Sequence, residues 1–307
     1  MNKPKVVVIC GPTASGKTAL SIELAKRING EIVSSDSMQI YKDMDIGTAK
    51  PTIEEMQGIK HYLIDAVSPD IRYSVAEYKK DAEKAIKEIL ENGKTPIVVG
   101  GTGLYVDSLI YGIEYQDIKL DEQYRKELEE IAEREGLENL YKKAQEIDPE
   151  AIKKISANDK KRIIRILEIY HSTGKTKTEQ EIESRKNEVQ YDYKVFAINM
   201  ERELLYERIN KRVDLMIEQG LVQEVKNLVK NYTQLPTAMQ GLGYKEVVEF
   251  LEGTITEQEM IEKIKMETRR YAKRQLTWFR KNKNTIWIDG LNNREDNIRI
   301  IQEEMQK

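Results

Sequence analysis

The chain has 307 residues, of which 34% are charged, and no stretch approaches the ~20 consecutive apolar residues of a membrane-spanning helix. Its N-terminus lacks the long apolar run and cleavage site of a signal peptide, so we expect a soluble protein of the cytoplasm. A single cysteine, Cys10, excludes an internal disulfide and a cysteine-based zinc site. The net charge of −3 excludes a global attraction to polyanions, so nucleic-acid binding would require local basic patches.

The first predicted element is a buried strand. Lys5–Cys10 is a continuous apolar, β-branched run that ends at glycine, which is typical of a strand buried on both faces of a parallel sheet. Helices are predicted over residues 17–28 and 74–90, and further strands over residues 31–34, 61–65 and 96–100. Alternation of strands and helices predicts an α/β fold with a doubly wound parallel sheet, like that of the P-loop NTPases.

Strand signals then vanish between residues 120 and 185, where charged helix-forming residues dominate. Breaks near Gly136, Asp148-Pro149 and Gly174 divide this segment, which we interpret as an inserted all-helical domain. The predicted domains are therefore an α/β core with C-terminal helices, formed by residues 1–119 and 190–307, and a helical insertion over residues 120–189.

The chain is expected to return to the sheet after the insertion. A strand is predicted over residues 194–199, a single helix over 201–231 and a last strand over 285–289. The tail after Asn292 is polar enough to fray.

The turn between the first strand and the first helix carries a phosphate-binding motif. The segment Gly11-Pro-Thr-Ala-Ser-Gly-Lys17-Thr18 satisfies G-x-x-x-x-G-K-[ST] in the strand–turn–helix context that the motif requires. Its backbone N–H groups and the helix N-terminus form a cradle for phosphate oxygens. Lys17 adds a positive charge, and the Thr18 hydroxyl is a candidate ligand of Mg²⁺. The expected phosphate-binding residues are Gly11, Thr13, Ala14, Ser15, Gly16, Lys17 and Thr18.

A phosphate cradle does not specify the reaction, because most P-loop proteins transfer or hydrolyse the γ-phosphate of a nucleotide. Such proteins are expected to carry a carboxylate at the end of an apolar strand. The strand at 96–100 ends in glycines instead, and Asp65 is the only comparable carboxylate. This weakens the NTPase interpretation without eliminating it.

Two further segments are expected at the same edge of the sheet. Asp36 follows the second strand, at the edge where doubly wound folds place ligand-contacting residues, and it is either a general base, a metal ligand or an aspartate that caps a turn. The flexible turn Gly100-Gly-Thr-Gly-Leu-Tyr105 follows the strand at 96–100, and Thr102 within it is a candidate donor to a substrate.

Six segments taken together resemble one family. They occur in the order Gly11-Pro-Thr-Ala-Ser-Gly-Lys-Thr18, Asp36-Ser-Met-Gln-Ile-Tyr41, Gly47-Thr-Ala-Lys-Pro51, Gly100-Gly-Thr-Gly-Leu-Tyr105, Met239-Gln-Gly-Leu-Gly-Tyr244 and Ala272-Lys-Arg-Gln-Leu-Thr-Trp278. This set is similar to the bacterial tRNA dimethylallyltransferases, and the match spans residues 5 to about 290. The P-loop alone would identify only a superfamily.

The resemblance implies transfer of a dimethylallyl group from dimethylallyl diphosphate to N6 of the adenosine on the 3′ side of the anticodon in tRNA. The cradle, Lys17 and a Mg²⁺ ion on Thr18 would then stabilise the departing diphosphate. The family assigns the general base to Asp36, a positioning role to Thr102 and a diphosphate contact to Arg212. Arg208 and Arg212 share a helix face, and a solvated basic face is the alternative for both.

The resemblance also implies which residues bind tRNA. A loop adenosine must leave its stack to react, and the family contacts the anticodon stem-loop through the turn after the second strand and through a basic stretch, here 160–165. The residues expected to bind tRNA are Asp36, Ser37, Met38, Gln39, Thr102, Arg125, Lys161, Arg162, Ile163, Ile164, Arg165, Arg274 and Gln275.

The C-terminal part of the chain carries a basic segment with aromatic residues. Residues 269–283 contain seven basic residues and no acidic one, a composition suited to a phosphate backbone and stacked bases. We expect Trp278 and Phe279 to pack in the core, whereas Arg274 and Gln275 are candidates for direct contact.

Three alternatives stay open on the sequence alone. A P-loop small-molecule kinase would share the phosphate cradle and the lid arginines. An isopentenyltransferase acting on free AMP would need neither the insertion nor the basic segment. A nucleotide-dependent RNA-binding switch would lack transfer chemistry. No membrane and no obligate protein partner are inferred.

Overall fold

A computed structural model describes residues 3–114, 121–184 and 188–307. The chain divides into two compact units. The core unit consists of Met1–Ile110 and Gln190–Lys307, and the helical unit is Tyr111–Val189. The predicted start of the insertion, at residue 120, lies outside the described residues.

The core unit contains a six-stranded sheet, in which every neighbouring pair of strands is parallel. The strands, in chain order, are β1 (Lys5–Cys10), β2 (Gly30–Ser34), β3 (His61–Tyr62), β4 (Thr95–Gly100), β5 (Asp192–Asn199) and β6 (Ile286–Asp289). Their order across the sheet is β3-β2-β4-β1-β5-β6, so β1 lies inside the sheet between β4 and β5. The predicted P-loop type of α/β fold is confirmed.

Helices account for most of the remaining described chain. In the first part of the core unit they are α1 (Lys17–Arg27), α2 (Ile53–Met56), α3 (Val75–Glu91) and α4 (Gly103–Ile110). The helical unit contains α5 (Glu122–Glu135), α6 (Glu138–Ile147), α7 (Pro149–Ile152), α8 (Lys160–Thr173) and α9 (Lys177–Ser184). The core unit continues with α10 (Arg202–Glu218), α11 (Leu221–Asn231), α12 (Tyr244–Leu251), α13 (Glu257–Phe279) and α14 (Arg294–Gln306).

Both faces of the sheet are covered by helices, as a continuous apolar strand predicts. Val6, Val8 and Cys10 of β1 point to one face, where they share a hydrophobic cluster with residues of α3 and α4. Val7 and Ile9 point to the opposite face and pack with residues of α1 and α14. Because β1 is packed on both faces, its end is buried inside the core unit. The turn that follows β1 therefore starts from a rigid strand.

The helical unit has a hydrophobic cluster of its own. Helices α5, α6, α7 and α8 contribute residues such as Leu128, Leu140, Ala151 and Ile163. Gly136 and Gly174 are the C-caps of α5 and α8, and α7 begins at Pro149, so the three sequence breaks coincide with helix boundaries.

Two sequence predictions require correction where the backbone turns left-handed. The predicted single helix over 201–231 is two helices, α10 and α11, because Gly220 adopts a φ of 101° between them. The predicted strand over 61–65 is reduced to β3, because Leu63 and Asp65 have φ values of 62° and 52° and cannot continue an extended strand.

The tail after Asn292 is helical and packed, contrary to the expectation that it frays. Helix α14 inserts Ile298 and Ile301 into the hydrophobic cluster that also contains Val7 and Ile9. Its exposed face is strongly charged, and these charged residues made the apolar stripe difficult to recognise in the sequence.

A membrane-spanning helix is absent from the residues that the structure describes, since none of their helices combines the length and the apolar character that crossing a bilayer requires.

Helix α14 provides a test of this packing. Replacing Ile298, which is fully buried, by alanine should lower the free energy of unfolding by about 2 to 5 kcal/mol, because the cavity cannot fully collapse. Arg299→Ala, one residue away on the exposed face, is the matched control and should change it by less than about 0.5 kcal/mol. Urea unfolding monitored by circular dichroism measures both, and equal effects would contradict the packed tail.

Candidate active site

A cavity of about 440 Å³ lies at the carboxyl ends of three neighbouring strands, and we call it the central cavity. The P-loop after β1, the turn after β2 and the glycines at the end of β4 all contribute to its wall. Its polar lining includes Thr13, Lys17, Thr18, Asp36, Arg212 and Arg274. A second cavity of about 920 Å³, the side cavity, adjoins the P-loop and shares Lys17, Thr18 and Arg212 with the first.

The P-loop has the local geometry of a phosphate cradle. Gly11 and Gly16 adopt φ values of 146° and 90°, which favour glycine, and Gly16 is the N-cap of α1. Gly16 contributes no side-chain cap, so the helix N-terminus stays available to an anion. The Lys17 ammonium donates a hydrogen bond of 2.7 Å to the Pro12 carbonyl, which holds it over the loop.

Two cations meet at this loop. Burial and the nearby Arg212 guanidinium lower the pKa of Lys17 to about 8, and Asp36 only partly opposes this effect. Burial also lowers the pKa of Arg212, whose Nη1 donates to the Thr13 hydroxyl at 3.5 Å. Each positive charge is disfavoured in the absence of an anion, and an anion between them would stabilise both. The electrostatics of the loop therefore favour binding of a polyanion.

The structure separates the two candidate arginines of α10. Arg212 is half-buried and lines both cavities, whereas Arg208 is exposed and lines neither. The alternative of a solvated basic face therefore applies to Arg208, and the diphosphate contact stays a prediction for Arg212.

Asp36 combines two of the interpretations proposed from the sequence. Its Oδ1 accepts hydrogen bonds from the backbone N–H groups of Met38 at 2.9 Å and Gln39 at 3.3 Å, so the side chain caps its own turn. The half-buried carboxylate also lines the central cavity, and none of the described residues hydrogen-bonds to its Oδ2. One oxygen fixes the orientation of the carboxylate while the other is available to a substrate.

The glycine-rich turn after β4 is packed against the segment that carries Asp36. A Cβ atom on Gly100 would lie 2.1 Å from the carbonyl oxygen of Ser35, so only glycine allows this approach. The Thr102 hydroxyl accepts from the Ser37 N–H at 3.0 Å and donates to the Ser37 hydroxyl at 3.3 Å. Thr102 does not line the central cavity, so in this structure it acts on the site through Ser37.

Gln275 of α13 joins the two glycine-rich loops. Its Oε1 accepts from the Thr13 N–H at 2.9 Å, and its Nε2 donates to the Gly101 carbonyl at 2.9 Å. A Cβ atom on Gly101 would lie 2.2 Å from that Nε2. This bridge was not predicted from the sequence. The tRNA contact of Gln275 stays a prediction, although both atoms of its amide group already form hydrogen bonds to the two loops.

The rest of α13 is divided between the cavity and the core. Arg274 is exposed and lines the central cavity, with its guanidinium 5.8 Å from the centre of the Tyr271 ring. Phe279 is buried, and Trp278 packs against the same cluster while its indole N–H donates to Asp107 at 2.9 Å. The expectation that these two aromatic residues pack in the core is confirmed.

One wall of the central cavity is apolar, and none of its residues was among the site residues predicted from the sequence. It is formed by residues of α10, α13 and the segment before α12, namely Ile209, Val213, Met216, Leu242 and Ile264. In the sequence, the Met239–Tyr244 motif was the available indication of this wall, but it was used only as part of the family resemblance. The cavity thus offers an apolar surface beside a polyanion cradle, which suits a ligand with a diphosphate and a hydrocarbon group.

Asp65, the remaining candidate for an NTPase carboxylate, lies elsewhere. It follows β3 at the edge of the sheet, three strands away from β1, and forms an ion pair with Lys50. It lines neither cavity.

Two of the predicted tRNA-binding residues of the helical unit, Arg125 and Arg165, lie beside one buried carboxylate. Arg125 donates to Glu168 at 3.2 Å, and Arg165 lies 3.5 Å from the same group. Lys161 and Arg162 are exposed on α8.

The prediction for Ile163 and Ile164 requires correction. Their side chains are 0% and 1% exposed and form part of the hydrophobic cluster of the helical unit. They therefore present no side-chain surface to RNA, and only the basic residues of this stretch remain candidates.

Known proteins resemble this chain over nearly its full length. A model of the family described as IPP transferase matches residues 39–282. The tRNA dimethylallyltransferase of Acetivibrio thermocellus is 57% identical over 285 residues, covering 92% of this chain and 91% of that protein. The tRNA dimethylallyltransferase of Bacillus cytotoxicus is 52% identical over 287 residues, covering 94% and 90%.

Solved structures show the same relationship. The tRNA isopentenylpyrophosphate transferase of Bacillus halodurans is 44% identical, with a TM-score of 0.74 over 99% of this chain and 96% of that one. A eukaryotic dimethylallyltransferase acting on tRNA is 32% identical, with a TM-score of 0.81 over 99% of this chain and 80% of that one. The match to the family model over residues 39–282 and the identity to these relatives show that this chain belongs to the IPP transferase family.

Proposed function

We propose that this protein transfers a dimethylallyl group from dimethylallyl diphosphate to N6 of the adenosine 3′-adjacent to the anticodon in tRNA. The central observation is that the cationic P-loop, the apolar wall and the Asp36 carboxylate line one cavity. The first two features suit the donor, and the third suits deprotonation of an acceptor. The products are N6-dimethylallyladenosine and diphosphate, and the reaction is expected to occur in the cytoplasm.

The P-loop serves the departure of the leaving group. As the C–O bond of the donor breaks, the electron pair moves to the diphosphate, where negative charge builds up. The N-terminus of α1, Lys17 and Arg212 stabilise that charge because they are already in place before the reaction. The backbone N–H groups of Ala14, Ser15, Gly16 and Thr18 contact the diphosphate, whereas the Thr13 N–H is donated to Gln275 and Gly11 and Thr13 shape the loop.

Asp36 accepts the proton of the acceptor. An adenine N6 amine is a weak nucleophile because its lone pair is delocalised into the ring, so loss of its proton must accompany formation of the new N–C bond. The hydrogen bonds from Met38 and Gln39 fix one carboxylate oxygen, and the other takes the proton. Thr102 supports this turn through Ser37.

Mg²⁺ is proposed as the cofactor, with Thr18 as its protein ligand. Mg²⁺ commonly takes one or two protein ligands and fills its other positions with phosphate oxygens and water. The Thr18 hydroxyl fits this pattern because it is exposed in the central cavity and accepts no hydrogen bond from the described residues. The ion would neutralise charge on the leaving diphosphate.

Basic residues of both units are proposed to bind the anticodon stem-loop of tRNA. Arg274 at the central cavity can reach a phosphate or a flipped base, as can the turn from Asp36 to Gln39. In the helical unit, Arg125, Arg165 and the exposed Lys161 and Arg162 supply positive charge for the RNA backbone.

The kinase and AMP alternatives are tested in the same experiment. The purified protein is incubated with dimethylallyl diphosphate and unmodified tRNA, and in parallel with AMP or with ATP and candidate kinase acceptors. Mass spectrometry of the nucleosides should reveal N6-dimethylallyladenosine in tRNA but no prenylated AMP, and EDTA should stop the transfer. Transfer of γ-phosphate without prenylation of tRNA would contradict the proposal.

The substitution Asp36→Asn distinguishes the proposed role of Asp36 as a base from its role in holding the turn. The asparagine Oδ1 can still accept from Met38 and Gln39, so the turn is preserved, but the amide cannot take a proton. We expect kcat to fall about 10²- to 10⁴-fold while the affinity for tRNA changes little. Single-turnover kinetics and filter binding measure the two quantities. Unchanged turnover would exclude Asp36 as the base.

Arg212 and Arg208 form a matched pair on one helix. Arg212→Ala should raise the KM for dimethylallyl diphosphate and lower kcat, giving a loss of about 10²-fold or more in kcat/KM, because a charge at the leaving group is removed. Arg208→Ala removes an equal charge one turn away, outside both cavities, and should change kcat/KM less than about threefold. Equal losses in both variants would contradict the assignment to Arg212.

A further inference from the structure

One loop of the core unit separates the two cavities. Residues Gly47, Thr48 and Ala49 line the central cavity, whereas Ala49, Lys50 and Pro51 line the side cavity. We call residues 45–51 the partition loop. Since Lys17, Thr18 and Arg212 also line both cavities, the partition loop borders the end of the site that holds the diphosphate.

The partition loop is closed on itself by backbone hydrogen bonds and by an ion pair between Lys50 and Asp45 at 2.6 Å. Its backbone closes a tight turn, with hydrogen bonds from Ala49 N–H to the Ile46 carbonyl at 3.0 Å and from Lys50 N–H to the Asp45 carbonyl at 2.9 Å. It contains no regular helix or strand. Lys50 also ties the second half of the loop to the Tyr41 carbonyl at 2.8 Å and to Asp65, which leaves the backbone N–H groups of residues 45–47 to be held from another element.

Glu224 of α11 supplies the main external anchor. Its Oε2 accepts from the backbone N–H groups of Asp45 at 2.9 Å and Ile46 at 2.7 Å, and its Oε1 accepts from the N–H of Gly47 at 3.1 Å. Three consecutive amides thus converge on one carboxylate. Such a nest of N–H groups binds an anion strongly, because every bond to the carboxylate is charge-assisted.

Tyr244 completes this anchor. Its hydroxyl donates to Oε1 of Glu224 at 2.7 Å, and its ring packs so closely on Gly47 that a Cβ atom there would lie 2.5 Å from it. Tyr244 is fully buried and lines the central cavity. The partition loop, Glu224 and Tyr244 therefore form one hydrogen-bonded wall.

The same loop is tied to the turn that carries the base. Nε2 of Gln39 donates to the carbonyls of Thr48 at 3.1 Å and Ala49 at 3.2 Å. The Gln39 N–H, in turn, donates to the Asp36 carboxylate. Displacement of the loop would disturb both the diphosphate end of the cavity and the position of Asp36.

We propose that Glu224 is a positioning residue for prenyl transfer, which fixes the partition loop and through it the donor end of the central cavity. The inference rests on the proposed function. Glu224 does not line either cavity and touches neither substrate; it acts through the backbone of residues 45–47. Its loss should therefore affect the donor and the chemical step more than tRNA binding.

A graded set of variants tests this assignment. Glu224→Ala removes all four bonds, and kcat/KM for dimethylallyl diphosphate should fall about 10- to 100-fold, since small displacements of a site have effects of that size. Glu224→Gln keeps one acceptor oxygen but cannot accept from all three amides, and its loss should be intermediate. Tyr244→Phe removes one bond to Glu224 and keeps the three backbone bonds, so its loss should be smaller than that of Glu224→Ala.

Gln223→Ala is the matched control. Gln223 is the exposed neighbour of Glu224 on α11, and among the described residues its side chain hydrogen-bonds only to Asn227, one turn away. Its replacement therefore perturbs α11 but leaves the bonds of Glu224 in place. We expect wild-type kcat/KM for this variant. The dissociation constant for tRNA should change less than kcat/KM for dimethylallyl diphosphate in every variant, because most of the proposed tRNA contacts lie outside the partition loop.

Hydrogen exchange distinguishes positioning from general destabilisation. Mass spectrometry of peptides covering residues 42–52 should show faster exchange in Glu224→Ala and Glu224→Gln, with unchanged exchange in the strands of the sheet. Faster exchange in this segment together with a loss of kcat/KM supports the proposal. If Glu224→Ala does not fold, Glu224→Gln carries the test alone.

Two results would overturn the inference, and only one of them would also overturn the proposed function. Normal prenyl transfer by the wild-type protein with unchanged kcat/KM in the Glu224 variants would overturn this inference and leave the proposed function intact. Failure of the wild-type protein to prenylate tRNA would overturn both.

Discussion

The core unit is organised around a positive site that needs an anion. The N-terminus of α1, Lys17 and Arg212 converge on one turn, where burial lowers the pKa values of both side chains and the Arg212 charge lowers that of Lys17 further. Such a site is tolerated because β1 is buried on both faces and the turn after it cannot relax easily. An anion bound at this turn would recover the stability lost there, and for a departing diphosphate the binding energy would act on the atoms that acquire charge in the reaction.

Features carried by local sequence signals were predicted well. The apolar run of β1, the P-loop motif and the breaks at Gly136 and Gly174 each act within a few residues, and the structure reproduces them. Features that depend on context were not. The break at Gly220 was missed because an isolated glycine is tolerated in many helices, and α14 was missed because charged residues surround its apolar stripe.

The candidate site shows the same division. Asp36 and the glycine-rich turn were found because parallel strands bring their carboxyl ends together. Gln275, by contrast, bridges two loops from a distant helix, and a contact of that kind leaves no pattern in the surrounding residues. The burial of Ile163 and Ile164 was in principle readable, since apolar residues at 163, 164, 166 and 167 define one face of α8 and the charges define the other.

The bridge made by Gln275 has a consequence for how the protein matures. Thr13 and Gln275 are separated by 262 positions. During synthesis the P-loop therefore leaves the ribosome long before Gln275, which hydrogen-bonds to it, has been added to the chain. Contacts of such long sequence separation close late, after the local elements have formed. The arrangement of the two glycine-rich loops that Gln275 joins thus forms only when synthesis is nearly complete. A prematurely terminated chain would contain the P-loop motif but not the assembled site.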